Sequence, residues 1–107
     1  MTRQRRFTTT FAPEVLDHLE AIERRYYRLI EQTIDEQLCY APDQETRNRK
    51  PLEQPAPFSA RWELRFGPNK RFRVFYELDA SEQTVWVLAI GVKVANRLFV
   101  GGKEFTP

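Results

Sequence analysis

The stretch WELRFGPNKRFRVFYELD, Trp62 to Asp79, decides the fold. Two runs of alternating residues flank a Gly-Pro-Asn-Lys segment, which is the pattern of an antiparallel hairpin. Trp62, Leu64 and Phe66 share one face of the first run, and Arg61, Glu63 and Arg65 share the other. Across the turn, Phe72, Val74, Tyr76 and Leu78 share a face, with Arg71, Arg73, Phe75 and Glu77 opposite. Both apolar sets must meet one core, so even residues pair with even residues, which a loop centred on Pro68 to Lys70 allows. Leu64 then opposes Val74, Arg61 opposes Glu77, Glu63 opposes Phe75, and Arg65 opposes Arg73. The Arg61 and Glu77 pairing reads as a cross-strand ion pair. Arg65 against Arg73 is unfavourable, because directly opposed like charges destabilise a sheet. Two resolutions stay open: the guanidiniums turn to Glu63, Glu77 or Asp79 or the register slips, or a phosphate or partner carboxylate sits between them.

On the C-terminal side, TVWVLAIGV, Thr84 to Val92, is apolar on both faces and predicts a central strand or one covered on both sides. On the N-terminal side, residues 41 to 59 hold Pro42, Pro51, Pro55 and Pro57 with Arg47, Arg49 and Lys50. A connection of that length reads as a polyproline-like loop along the sheet edge, and also as a basic contact with a partner. Before it, Val15, Leu19, Ile22, Tyr26, Leu29 or Ile30, Thr33 or Ile34, and Leu38 recur at helical spacing, between a start at Pro13 and Glu14 and a stop at Pro42. This predicts one long helix or an antiparallel pair with a corner near Arg24 to Tyr27. Residues 5 to 11, RRFTTTF, read as a first strand. The expectation is an α+β chain with an N-terminal strand, then a helical hairpin or long helix, then a three-stranded antiparallel meander over Ala60 to Phe66, Arg71 to Leu78 and Thr84 to Val92. The helices cover one face of the sheet, and residues 1 to 107 form a single domain.

Composition narrows the class. The chain has 107 residues, 41% hydrophobic, one cysteine and one histidine. A disulfide framework within the chain is excluded, and Cys39 has no Cys or His companion at metal spacing, so neither a metal nor a cofactor is expected. No apolar run reaches bilayer length and the first residues lack the hydrophobic centre of a signal peptide, so a cytoplasmic protein with no membrane partner is expected. The net charge of +2 hides an asymmetry. Residues 14 to 36 carry seven acids against three arginines, and residues 47 to 107 carry eleven bases against six acids. A basic sheet beside an acidic helical region is the footprint of a protein that meets phosphate or an acidic partner. Thirteen of the seventeen bases are arginine, which grips phosphate in two-pronged fashion and stacks on bases.

The progression ARWELRFGPNKRFRVFYELD, TVWVLAIGVK and FVGGKEF, preceded by LCYAPD and RNRKPL, resembles the RelE/ParE toxin superfamily of type II toxin-antitoxin systems. The resemblance covers nearly the whole chain. It implies a helical pair against an antiparallel sheet and a cognate antitoxin as partner. RelE-like members are ribosome-dependent mRNA endoribonucleases that inhibit translation through basic residues and a tyrosine on the polar face of the sheet; ParE-like members lack those residues and inhibit DNA gyrase. Carried over by position, Arg61, Arg65, Arg73 and Lys93 occupy basic catalytic positions. Glu63 stands where a lysine is expected, and Phe99 where a tyrosine would donate a proton.

Cleavage through the 2′-hydroxyl needs a base, stabilisation of the phosphorane charge, and an acid for the leaving oxygen. Arg65, Arg73 and Lys93 suit the second task, and Glu63 is the candidate base, with neutralisation of its arginine neighbours as its alternative role. Arg47, Arg49, Lys50, Lys70, Arg71, Arg97 and Phe99 are candidate RNA contacts, Phe99 by stacking alone. An mRNA and ribosome target is the leading expectation, with gyrase inhibition or antitoxin binding alone as alternatives. His18, off the apolar stripe, reads as a solvated helix residue, Tyr26 and Tyr27 as packing residues, and Trp62 and Trp86 as core. Gly101 and Gly102 read as a turn before a final edge segment, with the tail KEFTP packed back or free.

Overall fold

The computed structural model describes residues 6 to 106; the start of the expected first strand at Arg5 and the last residue of the tail, Pro107, lie outside the described residues. The chain folds as β1 (Thr8–Phe11), α1 (Val15–Glu20), a 3-10 turn (Arg24–Tyr26), α2 (Tyr27–Leu38), β2 (Arg49–Pro51), β3 (Trp62–Phe66), β4 (Phe72–Asp79), β5 (Thr84–Val94), β6 (Arg97–Val100) and β7 (Lys103–Phe105). The helical region is therefore two helices rather than one, with the break at the Arg24–Tyr26 turn. The seven strands of the described residues form one sheet in the order β2-β3-β4-β5-β6-β7, with β1 on β5. Three strands exceed the expected meander. β2 pairs antiparallel with β3 inside the proline-rich connection, and the Gly101-Gly102 turn joins β6 to β7. β2 and β7 are three residues long, β6 four, too short for an alternation pattern to register in sequence.

The hairpin register follows from the apolar faces. Leu64 pairs with Val74, Glu63 with Phe75 and Arg65 with Arg73. Gly67 turns at φ 83, a left-handed conformation that favours glycine, and Phe72 packs where its side chain would be. Leu64, Phe66, Phe72, Val74 and Tyr76 join Val15, Ile30, Ile34 and Leu38 of the helices, and Ile22 of the link between them, in the main core. Trp62 stacks on its cross-strand partner Tyr76 at the margin of that core. The buried Tyr76 hydroxyl donates to the Pro42 carbonyl at 2.7 Å, anchoring the connection to the sheet, and burial pushes its phenol pKa far up.

β5 is central as expected and covered on both faces around Ala89, which lies with Ala60 and Phe75 in a second buried cluster, and a bulge adds to its doubly apolar pattern. The β4–β5 register slips by one residue at Phe75/Tyr76, so Val74 pairs with Ile90 whereas Tyr76 pairs with Val87. Beyond that bulge the core-facing residues change from even to odd, and Val85 and Val87 lie in the same core as Ile90. Trp86 consequently faces outward at 40% exposure, correcting its assignment to the core.

His18 is also corrected. On its other edge β5 pairs in parallel with β1 from Thr84 to Val87 and antiparallel with β6 from Gly91 onward, and neither covers Ile90. The Ile90 N–H donates instead to His18 Nδ1 at 3.3 Å, and His18 is 8% exposed. An imidazole that accepts at Nδ1 is the neutral form, and burial holds its pKa below 6.5 against the opposing pull of Glu14 and Asp17. The unfolded chain thus binds a proton that the folded chain refuses, so the contribution is fully present above about pH 6.5 and is lost as pH falls through the lowered folded value. His18→Ala is expected to cost about 1–3 kcal/mol at neutral pH, measured by urea unfolding, and to flatten the decline in stability between pH 7 and 5.

Candidate functional site

The odd-numbered face of the hairpin carries the candidate catalytic residues. Glu63 is 7% exposed and lies between the two opposed arginines. Arg65 Nε donates to Glu63 Oε1 at 2.6 Å, and Arg73 Nη1 stands 3.5 Å from the same oxygen. The like-charge conflict is thus resolved inside the chain, by one carboxylate shared between both guanidiniums. Glu77 forms no ion pair among the described residues, and Asp79 is occupied by the Ser81 hydroxyl at 2.7 Å and the Glu82 N–H at 3.1 Å, which hold its carboxyl below the usual range. The expected Arg61–Glu77 pair does not form. Arg61 is exposed and precedes β3, and its N–H donates to the Tyr76 carbonyl while Glu77 pairs with Trp86.

Arg73 leads from this cluster into an open cleft of about 420 Å³ between two turns, with Asn69 and Arg71 on one side and Lys93, Ala95 and Asn96 on the other. Its Nε donates to the Lys70 carbonyl at 3.0 Å, which fixes the guanidinium against the first turn. Burial lowers the Arg73 pKa, Glu63 opposes that, and Arg65 adds to it; a guanidinium remains a cation throughout. Asn69, Lys70, Ala95 and Asn96 all have positive φ, so the cleft walls are built from left-handed turn residues.

The other candidates divide. Arg49 is a structural clamp, donating to the Gln37 carbonyl at 2.9 Å and the Gln44 carbonyl at 3.1 Å, which ties β2 to the end of α2. Lys50 lies 3.5 Å from Glu45 and Arg97 3.6 Å from Glu104. Arg47 and Lys70 are exposed. Phe99 does not line the basic cleft; it pairs with Val92 and lines a small pocket with His18 and Ile22. Among the described residues no group of three or more His, Cys, Asp or Glu is arranged to hold a metal, and no helix is long and apolar enough to cross a membrane.

This architecture is a RelE-like fold. It superposes with a TM-score of 0.69 on a chain from the crystal structure of the toxin-antitoxin complex RelBE2 from Mycobacterium tuberculosis, at 19% identity, covering 87% of this chain and 98% of that one. No family model and no curated protein matches the sequence.

Glu63→Gln removes the charge shared by Arg65 and Arg73. It is expected to destabilise the chain by about 1–3 kcal/mol, and 50 mM phosphate should recover part of the loss as an upward shift of the urea midpoint larger than in the unaltered chain.

Proposed function

We propose that the chain is the toxin of a toxin-antitoxin pair and acts on translated mRNA as a ribosome-dependent endoribonuclease. The observation that carries this reading is the convergence of Arg71, Arg73 and Lys93 on one open cleft in a RelE-like fold. Arg73, its side chain largely withdrawn from water and fixed by Glu63 and the Lys70 carbonyl, suits the stabilisation of charge developing on a phosphorane, because a preorganised donor needs no rearrangement at the transition state. Both arginines meet Glu63 at Oε1, so the second carboxylate oxygen is the one that would accept the 2′-hydroxyl proton.

The antitoxin half of the reading is supported by an apolar groove of about 550 Å³ where α1, α2 and β1 meet, lined by residues including Phe11, Leu16, Leu19, Tyr27 and Ile34. Leu16 is 65% and Phe11 47% exposed there, the kind of surface a partner covers.

Two observations favour a second reading, in which the fold binds DNA gyrase without chemistry. Glu63 is bound at 2.6 Å to Arg65, and Phe99 brings no proton donor to the cleft. The two readings separate in a cell-free translation reaction by mapping new 5′ ends with and without active ribosomes. New ends confined to translated message are expected, and intact message favours the gyrase reading. Arg73→Ala is expected to abolish growth inhibition while leaving antitoxin binding intact; surviving toxicity would remove the catalytic assignment.

A further inference from the structure

The outer face of the sheet is covered over only part of its extent. Ala60, Phe75 and Ala89 are buried there against Leu52, with the Phe58 ring of the proline-rich connection 6.1 Å from that of Phe75. Beyond the bulge at Phe75/Tyr76 the face changes character. Glu77 of β4, Trp86 of β5 and Thr10 of β1 form one row, and Asp79, Thr84 and Thr8 form the next. None of these six side chains is buried, and Trp86 is 40% exposed.

Trp86 is bare where Trp62 is not. Trp62 stacks on Tyr76, whereas among the described residues no aromatic ring and no guanidinium lies against Trp86. Its directly opposed neighbour Glu77 forms no ion pair among the described residues. Opposed side chains of an antiparallel pair start roughly 4.5–5.5 Å apart at Cβ, so one ligand group can touch the indole and the carboxylate together. Asp79 adds a second carboxylate one row on, and Glu82 a third in the turn that follows. Against these acids stands Arg61, exposed just before β3 and without an ion pair of its own.

An indole face takes a nucleobase or a cation, and the carboxylates decide between them. Glu77 and Asp79 repel the phosphates of a nucleic acid and attract positive charge. A planar guanidinium stacks on the ring while its N–H groups meet the Glu77 carboxylate, a double engagement that a lysine ammonium, as a point charge, does not match. We propose that Trp86 and Glu77 form a docking site for an arginine side chain of a partner protein. About 23 Å of strand along β5 separates Trp86 from Lys93 of the basic cleft, and the site stands apart from the mRNA reading.

The test is the indole N–H resonance of Trp86 in the isotope-labelled full chain, assigned by its loss in Trp86→Leu and titrated with the peptide acetyl-Gly-Arg-Gly-Arg-Gly-amide at low salt. A saturable shift is expected, with the Trp62 indole unmoved and the lysine counterpart of the peptide binding more weakly. Followed by the Thr10 amide resonance, Trp86→Leu is expected to lower peptide affinity roughly two- to fivefold, the range for a cation on an exposed ring. Glu77→Gln is expected to lower it roughly two- to fivefold as well, as loss of an exposed ion pair does. Both substitutions leave the urea midpoint unchanged, and the isosteric Glu77→Gln tests the site even where Trp86→Leu disturbs the fold. Affinity indifferent to Glu77→Gln, or a Trp62 indole that moves as far as that of Trp86, overturns the site. Equal affinity for the lysine peptide overturns the assignment to arginine. A Trp86 signal that answers a ten-nucleotide single-stranded RNA instead of the peptide makes the ring a base-stacking platform and overturns the protein partner. A signal that moves with protein concentration alone, or on removal of residues 1 to 5, gives the face to a second copy or to the chain's own Arg3 and Arg5, and overturns it equally.

Discussion

The even-to-even pairing of β3 with β4 is the constraint on which the other features depend. Leu64 and Val74 must lie on the same side as Tyr76 and Phe72, because that side meets α1 and α2 and holds the main core. A slip of one residue would turn these side chains to water and bring the arginines inward, where unpaired charge is costly. With the register so fixed, Arg65 has no choice but to oppose Arg73, and the charge conflict on the outer face is a by-product of satisfying the inner one. Glu63, on the same face and nearly buried, answers it locally. The register stops at Phe72: Arg71, just before β4, takes helical backbone angles and lays its guanidinium 4.7 Å from the centre of the Tyr26 ring. One burial requirement has thus set out the opposed cations of the outer face and the carboxylate between them.

A second constraint acts along β5. This strand has β4 on one edge along most of its length, while its other edge is divided between β1 and β6. The junction leaves the Ile90 N–H without a strand partner, and an unpaired buried donor costs about as much as a lost hydrogen bond. His18 closes the gap from α1, and the bulge at Phe75/Tyr76 realigns the core-facing residues on the way past it. The helix face and the sheet are therefore joined by a polar contact as well as by packing.

Much of this was legible in sequence, and the reasons are uneven. Alternation in WELRF and RFRVFYELD carried the register, because a period of two with aromatic and aliphatic residues on one side leaves a single consistent pairing. The corner at Arg24–Tyr26 was visible only as one of two options, since no Gly or Pro marks it. Trp86 and Val87 could not be sorted, because a bulge shifts parity without leaving a signature residue. His18 was misplaced because its burial comes from the sheet edge it reaches rather than from the helical stripe it leaves. On the site, the shared role of Glu63 was foreseeable from its position between the arginines. That Arg49 is a clamp and that Tyr26 seats Arg71 depends on long-range packing that local pattern does not encode.

The parallel pairing of Thr8–Phe11 with Thr84–Val87 has a consequence for how the chain is made. β1 leaves a ribosome before the rest of the sheet, and the strand it joins is synthesised after more than seventy further residues. Closing so long a loop must await β5, so the sheet is completed late and its central strand is not flanked on both edges until then. During synthesis the helical pair and β1 exist before the hairpin that carries the cation face. The exposed edge of β5 and the apolar side of β1 are therefore the surfaces most in need of protection in the nascent chain.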